Sequence, residues 1–139
     1  MEWETIEEFT QLTKNFNMVE FLCRCGKQFC AGLGDPTYKK QIFSNIVRTA
    51  EHLQKFRDDF CESFPIIVLS GIRCYVHNIN VGGARNSLHL LGCAADILCK
   101  KMTPDELLIR VKRSRIWGGV GNYIGQGFVH VDIGDRREW

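Results

Sequence analysis

Two short stretches concentrate the side chains able to do chemistry. In Ser87-x-His89-x-x-Gly92-x-Ala94-x-Asp96, an imidazole and a carboxylate stand seven residues apart with small residues between them. That spacing can deliver two ligands to one metal across a turn into a strand, and an imidazole nitrogen with a carboxylate oxygen suits zinc. In Phe128-Val129-His130-Val131-Asp132 the polar residues are two apart. On a strand His130 and Asp132 share one face, and Val129 and Val131 share the other. Each stretch alone has a plainer reading. A lone His is more often a satisfied core or surface residue than a ligand. A His–Asp pair on a strand is equally a structural hydrogen bond, or an Asp132 facing solvent at a sheet edge. Together the two stretches supply His89, Asp96 and His130, three ligands with a fourth position free for water. That is the layout of a catalytic zinc site.

A different chemistry is offered by the cysteines, of which there are seven. Three cluster as Cys23-x-Cys25-x4-Cys30. The trio would hold a structural zinc if a fourth ligand came from elsewhere. The spacing is not that of a standard zinc-finger pair, so free thiols are the default expectation, and a disulfide, for instance to Cys74, is a further option.

These residues must be positioned by regular elements. The spacing of Ile42, Ile46, Ala50, Leu53, Phe56 and Phe60 at steps of three and four predicts one long amphipathic helix over Lys39 to Glu62. Pro65 ends it, and Ile66-Ile67-Val68-Leu69 reads as a buried strand. A loop bracketed by Gly71 and Gly82-Gly83 carries Arg73, His77 and Asn78. Ala94 to Leu98 reads as a second strand. Thr103-Pro104-Asp105-Glu106 is a strong helix start, with a Thr cap, a Pro at the first helical position and acids in the first turn. That helix should run to about Arg115. Gly118 to Gly121 turns into a strand, and Phe128 to Ile133 is the last one. Thr5 could cap a short helix with Glu7 and Glu8 in its first turn, and residues 14–38 read as an irregular, cysteine-containing segment with a turn at Gly34-Asp35-Pro36. Helices and strands do not alternate strictly, so the expected class is α+β, a small, largely antiparallel sheet packed against helices.

Length and composition bound the function. The chain's 139 residues, 45% hydrophobic and 24% charged, are expected to form a single domain, 1–139, able to bury roughly two-thirds of its unfolded surface. The longest charge-free apolar run, Phe64 to Ile72, is too short for a membrane span of ~20 residues. The acidic N-terminus lacks the basic start and apolar stretch of a secretory signal. A net charge of +2 does not mark a nucleic-acid binder, and the cluster Arg110, Lys112, Arg113 and Arg115 reads as a solvated surface.

The spaced positions together resemble the zinc D-Ala-D-Ala peptidases, which carry S-x-H-x-x-G-x-A-x-D, matched here from Ser87 to Asp96. One branch of that family adds S-G-x-R, here Ser70-Gly71-Ile72-Arg73, then an Asn and a Gly-Gly, here Asn78 and Gly82-Gly83. It continues with Gly-Val-Gly-x-Tyr, here Gly119 to Tyr123, and closes with F-V-H-x-D-x-G-x-x-R-x-W, here Phe128 to Trp139. Asn15-Phe16, Glu20-Phe21 and Cys23-x-Cys25-Gly26 also look like this branch, so the resemblance spans nearly the whole chain, in order.

The resemblance implies a hedgehog/DD-peptidase-like fold and one catalytic zinc on His89, Asp96 and His130. Arg73 would stabilise the oxyanion of a tetrahedral intermediate, a task suited to a fixed guanidinium. Ser87 and Tyr123 are the candidate substrate contacts, with Ser87 equally readable as a loop residue satisfying local backbone. His77 reads as a surface-loop residue. One departure stands out. Several members place an acidic general base three residues before the last His ligand, where this chain has Gly127. Asp132 is the nearest acid, either as that base or as a group orienting His130; Asp135 and Glu138 are the remaining candidates. The implied activity is hydrolysis of a peptide bond in the stem peptide of bacterial peptidoglycan, as a D,D-carboxypeptidase or an endopeptidase such as a phage endolysin. The enzyme is expected to be a monomer made in the cytoplasm that reaches the wall after release or export. The alternative is a non-catalytic zinc-binding interaction or virion structural domain on the same scaffold.

Overall fold

In the computed structural model, residues 7, 9–25, 30 and 36–139 are described. The proposed Thr5 cap, Glu8 and the Gly34-Asp35 turn lie outside the described residues. Among the described residues, three α-helices and five strands follow in chain order as α1 (Pro36–Phe60), β1 (Ile67–Ser70), α2 (Tyr75–Asn80), β2 (Ala94–Leu98), α3 (Pro104–Ser114), β3 (Gly119–Tyr123), β4 (Phe128–Asp132) and β5 (Arg137–Glu138). Short 3-10 turns occupy Met18–Phe21, Leu88–Leu91 and Ile124–Gln126.

The long helix forms where its apolar stripe predicts it. Ile42, Ile46, Ala50, Leu53 and Phe56 are buried, and Phe60 packs half-buried against the same core. α3 begins at the predicted cap: Thr103 Oγ1 accepts from Glu106 N at 3.2 Å, and Glu106 Oε2 accepts from Thr103 N at 3.0 Å. This reciprocal box satisfies two amides that the first helical turn leaves without partners. Two expectations are corrected. The stretch after β1 is not all loop, because Cys74 caps the short helix α2. The last strand is not β4, because the chain turns back and adds β5.

The sheet order is β1-β2-β4-β3-β5. β1–β2, β2–β4 and β4–β3 pair antiparallel, whereas β5 runs parallel to β3. The sheet is therefore mixed rather than largely antiparallel. The reason is the C-terminal reversal: after β4 the chain crosses the end of β3, where Arg137 N donates to Gly118 O at 2.8 Å, and lies down on β3's free edge.

Alternation then divides the sheet into two faces. Val68, Ala95, Ile97, Val120, Val129 and Val131 are buried in one core with Ile46, Leu53 and Phe56 of α1 and Leu107 and Val111 of α3. The opposite face carries Asp96, His130 and Asp132, buried polar groups that need partners.

Candidate metal centre

Strand register brings the ligands together. Asp96 on β2 is paired with His130 on β4, and His130 is paired on its other side with Gly121 of β3. Glycine at 121 and 119 is a matter of room. A Cβ at Gly121 would meet His130 Cβ at 2.9 Å, and one at Gly119 would collide with the Asp132 carboxylate. The Gly-Val-Gly motif thus leaves space on the polar face while Val120 fills the core.

His89 arrives from outside the sheet. Ser87 Oγ accepts from His89 N at 3.2 Å and starts the 3-10 turn; Gly92, at φ 77, ends it in the left-handed region that glycine adopts without strain. His89 Nδ1 lies 2.6 Å from Gly71 O, which assigns the proton to Nδ1 and frees Nε2. His130 uses the opposite tautomer. Its Nε2 lies 2.8 Å from Asp132 Oδ2, which leaves Nδ1 as the free nitrogen. Both free nitrogens point at one carboxylate oxygen: His89 Nε2 is 3.1 Å and His130 Nδ1 3.0 Å from Asp96 Oδ1. Two imidazole lone pairs aimed at a carboxylate oxygen repel it unless a cation or proton stands among them. This donor set, buried and oriented from behind, fits a divalent ion such as zinc.

The polar groups around the ligands are also paired. Arg73 Nη2 holds Asp96 Oδ2 at 3.0 Å, its Nε reaches Ser70 Oγ at 3.2 Å, and its Nη1 reaches Asn78 Oδ1 at 3.3 Å. Asn78 is itself buried and donates to Ala84 O at 2.9 Å. Asp132 is fully buried. Arg137 grips it with both terminal nitrogens, at 3.1 and 2.9 Å, and Gly134 N adds a bond at 3.0 Å.

These contacts set the ionisation. Burial works to raise the Asp96 carboxyl, but positive charge on the facing His130 and His89 rings, which would donate to it only when doubly protonated, outweighs burial and holds the pKa far below the usual carboxylate range. Burial likewise works to raise Asp132, and His130, Gly134 N and Arg137 overcome it. For His130 burial favours the neutral ring, yet its bonds to Asp132 and Asp96 raise its pKa.

A cleft of about 280 Å³ opens onto the centre. Arg73, Ser87, Tyr123 and Trp139 line it beside the three ligands. Trp139 packs against the His130 ring at 5.0 Å between centroids and donates through Nε1 to Tyr123 Oη at 2.9 Å. Tyr123 in turn stacks on Phe128. Of the acids considered as bases, Asp132, Asp135 and Glu138 do not line this cleft, nor does His77. Gly127, where relatives of the resembled family have an acid, ends the Ile124–Gln126 turn at φ 90. A side chain there would be strained, so this loop is built for glycine.

Sequence reasoning placed His89, Asp96, His130, Arg73, Ser87 and Tyr123, and the fold brings all six to one cleft. It assigned no role to the Gly71 carbonyl, Asn78, Arg137 or Trp139. The last three stood in the quoted motifs, and their contacts, Asn78 with Arg73, Arg137 with Asp132 and Trp139 with the His130 ring, give the reason for them.

The model of one protein family, Peptidase M15, matches residues 14–132. The chain belongs to this family of zinc metallopeptidases. None of the curated proteins compared with the chain matches it. No helix among the described residues is long and apolar enough to cross a membrane.

Proposed function

We propose that the protein is a zinc peptidase of the bacterial cell wall that hydrolyses a peptide bond in the peptidoglycan stem peptide, as a D,D-carboxypeptidase or an endopeptidase of the endolysin kind. The observation that carries this reading is the convergence of His89 Nε2 and His130 Nδ1 on Asp96 Oδ1 at the floor of a cleft that also holds Arg73. His89, Asp96 and His130 would hold one zinc ion, which when bound supplies Lewis acidity for activating water and polarising a carbonyl.

The chain's own residues do the rest. The Arg73 guanidinium, fixed by Ser70, Asn78 and Asp96, presents positive charge to the oxygen that becomes negative as water adds to the scissile carbonyl. Tyr123 and Trp139, braced against each other, form an amphipathic wall for the peptide on the His130 side. Ser87 keeps His89 in place through the amide it caps, and its position in the cleft lets the hydroxyl meet substrate as well. Of the two roles open to Asp132, we assign the positioning one. Both its oxygens are engaged, and it is shielded from the cleft, so it fixes the tautomer and basicity of His130 rather than taking a proton from water. The monomeric state and action after release or export belong to the same proposal.

A second reading has one observation in its favour: among the described residues lining the cleft, the only carboxylate is the ligand Asp96. A scaffold lacking a general base would bind its target without cleaving it. Mass spectrometry of muropeptides after incubation with purified peptidoglycan, with and without a chelator, separates the two. New, chelator-sensitive termini are expected. Binding to the wall material with no new terminus would establish the non-catalytic reading.

A further inference from the structure

The geometry points to a second metal site: a structural zinc held by Cys23, Cys25, Cys30 and Cys74 that fixes the backbone leading out of Arg73. The four sulfurs come from two parts of the chain, nearly fifty residues apart in sequence, and lie within 4.8 Å of one another. Cys25 Sγ and Cys30 Sγ are 3.3 Å apart. Four thiolates around one tetrahedral zinc, at a Zn–S distance near 2.3 Å, stand roughly 3.8 Å from each other, which is the spacing this cluster brackets. Two disulfides would sort the sulfurs into separate pairs; here each is close to all the others.

Backbone amides turn toward sulfur, Cys74 N to Cys23 Sγ at 3.3 Å and His77 N to Cys74 Sγ at 3.4 Å. Such donors stabilise sulfur that carries negative charge. The set has four protein donors and no place for a water ligand, which is the closed arrangement of structural rather than catalytic zinc.

The site has a purpose in the fold. Cys23 and Cys25 lie outside helices and strands, and the residues beside them are held to β1 and its exit by a few hydrogen bonds. Arg24 donates to Val68 O and Leu69 O at 3.0 and 3.4 Å, and Phe21 O accepts from Ile72 N at 2.9 Å. Ile72 and Cys74 flank Arg73. A metal on Cys74 therefore clamps the second side of the short stretch that presents Arg73 to the cleft, and it also secures the start of α2, which carries Asn78.

The test is metal content by elemental analysis and native mass spectrometry of protein purified under reducing conditions with zinc. The intact chain should hold two zinc ions. His89→Ala/His130→Ala should hold one, and substituted cobalt in it should give the intense thiolate-to-cobalt charge-transfer absorption of a tetrathiolate site. Cys74→Ser and, independently, Cys30→Ser should each lose one zinc and keep the other, so failure of one variant to fold leaves the second to decide. One zinc in the intact chain and none in the double-histidine variant would overturn the second site and leave the peptidase centre standing. One zinc in both would retain the cysteine site and remove the histidine one. Undiminished zinc in Cys30→Ser, or an intact mass short of the hydrogens lost to disulfide formation, would also overturn the proposal.

Discussion

His89, Asp96 and His130 hang from paired strands and a capped turn, each with its far side held by a named partner. Cys23, Cys25 and Cys30 themselves lie outside helices and strands, and Cys74 is seated at an element's end, the cap of α2. The first cluster is aimed by the scaffold before any ion arrives. Its imidazole tautomers are set by Gly71 O and Asp132, and its carboxylate by Arg73. The second is framed by two backbone amides that reach sulfur, so a metal there would chiefly cross-link the segments. Preorganisation suits a centre that must keep a position open for chemistry; a closed four-sulfur centre suits cross-linking. The difference explains why the same chain would devote two ligand sets to one type of ion.

The sharpest way to break that contrast is His130→Ala. It should abolish hydrolysis and remove the cleft's metal while leaving thiolate-bound metal in place; elemental analysis alongside muropeptide release reads both. Arg73→Ala comes next. It should keep the metal and lower kcat on the order of 100- to 1,000-fold, the usual cost of one oxyanion donor. Near-normal turnover would make Arg73 a mere partner of Asp96.

Asp132→Asn should have a smaller effect of a different kind. Loss of the carboxylate behind His130 should weaken metal affinity by roughly 10- to 100-fold, with turnover restored by added zinc. A deficit of 100- to 10,000-fold that persists at metal saturation would instead make Asp132 the base. The smallest effect concerns a cysteine outside both centres. Burial pushes the fully buried Cys61 thiol up to about 12, so its reactive thiolate is scarce near neutral pH. Alkylation followed by peptide mapping should leave Cys61 unmodified with or without chelator, whereas the half-buried Cys25 should become reactive only once metal is stripped. Equal labelling of the two would erase the distinction between a metal-protected cluster and a merely buried thiol.

Much of the candidate site was legible because its logic is local. The i, i+2 spacing of His130 and Asp132 makes them neighbours on any strand, and their contact at 2.8 Å needs nothing else. β2 and the Thr103 cap were equally local, and both formed where the residues predict. β5 was not legible, since two charged residues have no periodicity and become a strand only because β3 offers an open edge.

By itself the sequence determined which residues could ligate, where the two longer helices would form and which strand faces would be polar, because alternation, apolar spacing and capping act over a few residues. The tertiary structure alone decided that Asp96 stands opposite His130, that Gly71 O sets the tautomer of His89, and that Cys74 completes a set begun fifty residues earlier. Those outcomes depend on pairing register and chain crossing. They are set by contacts between segments distant in the chain, where each partner's position is defined only once the core has packed.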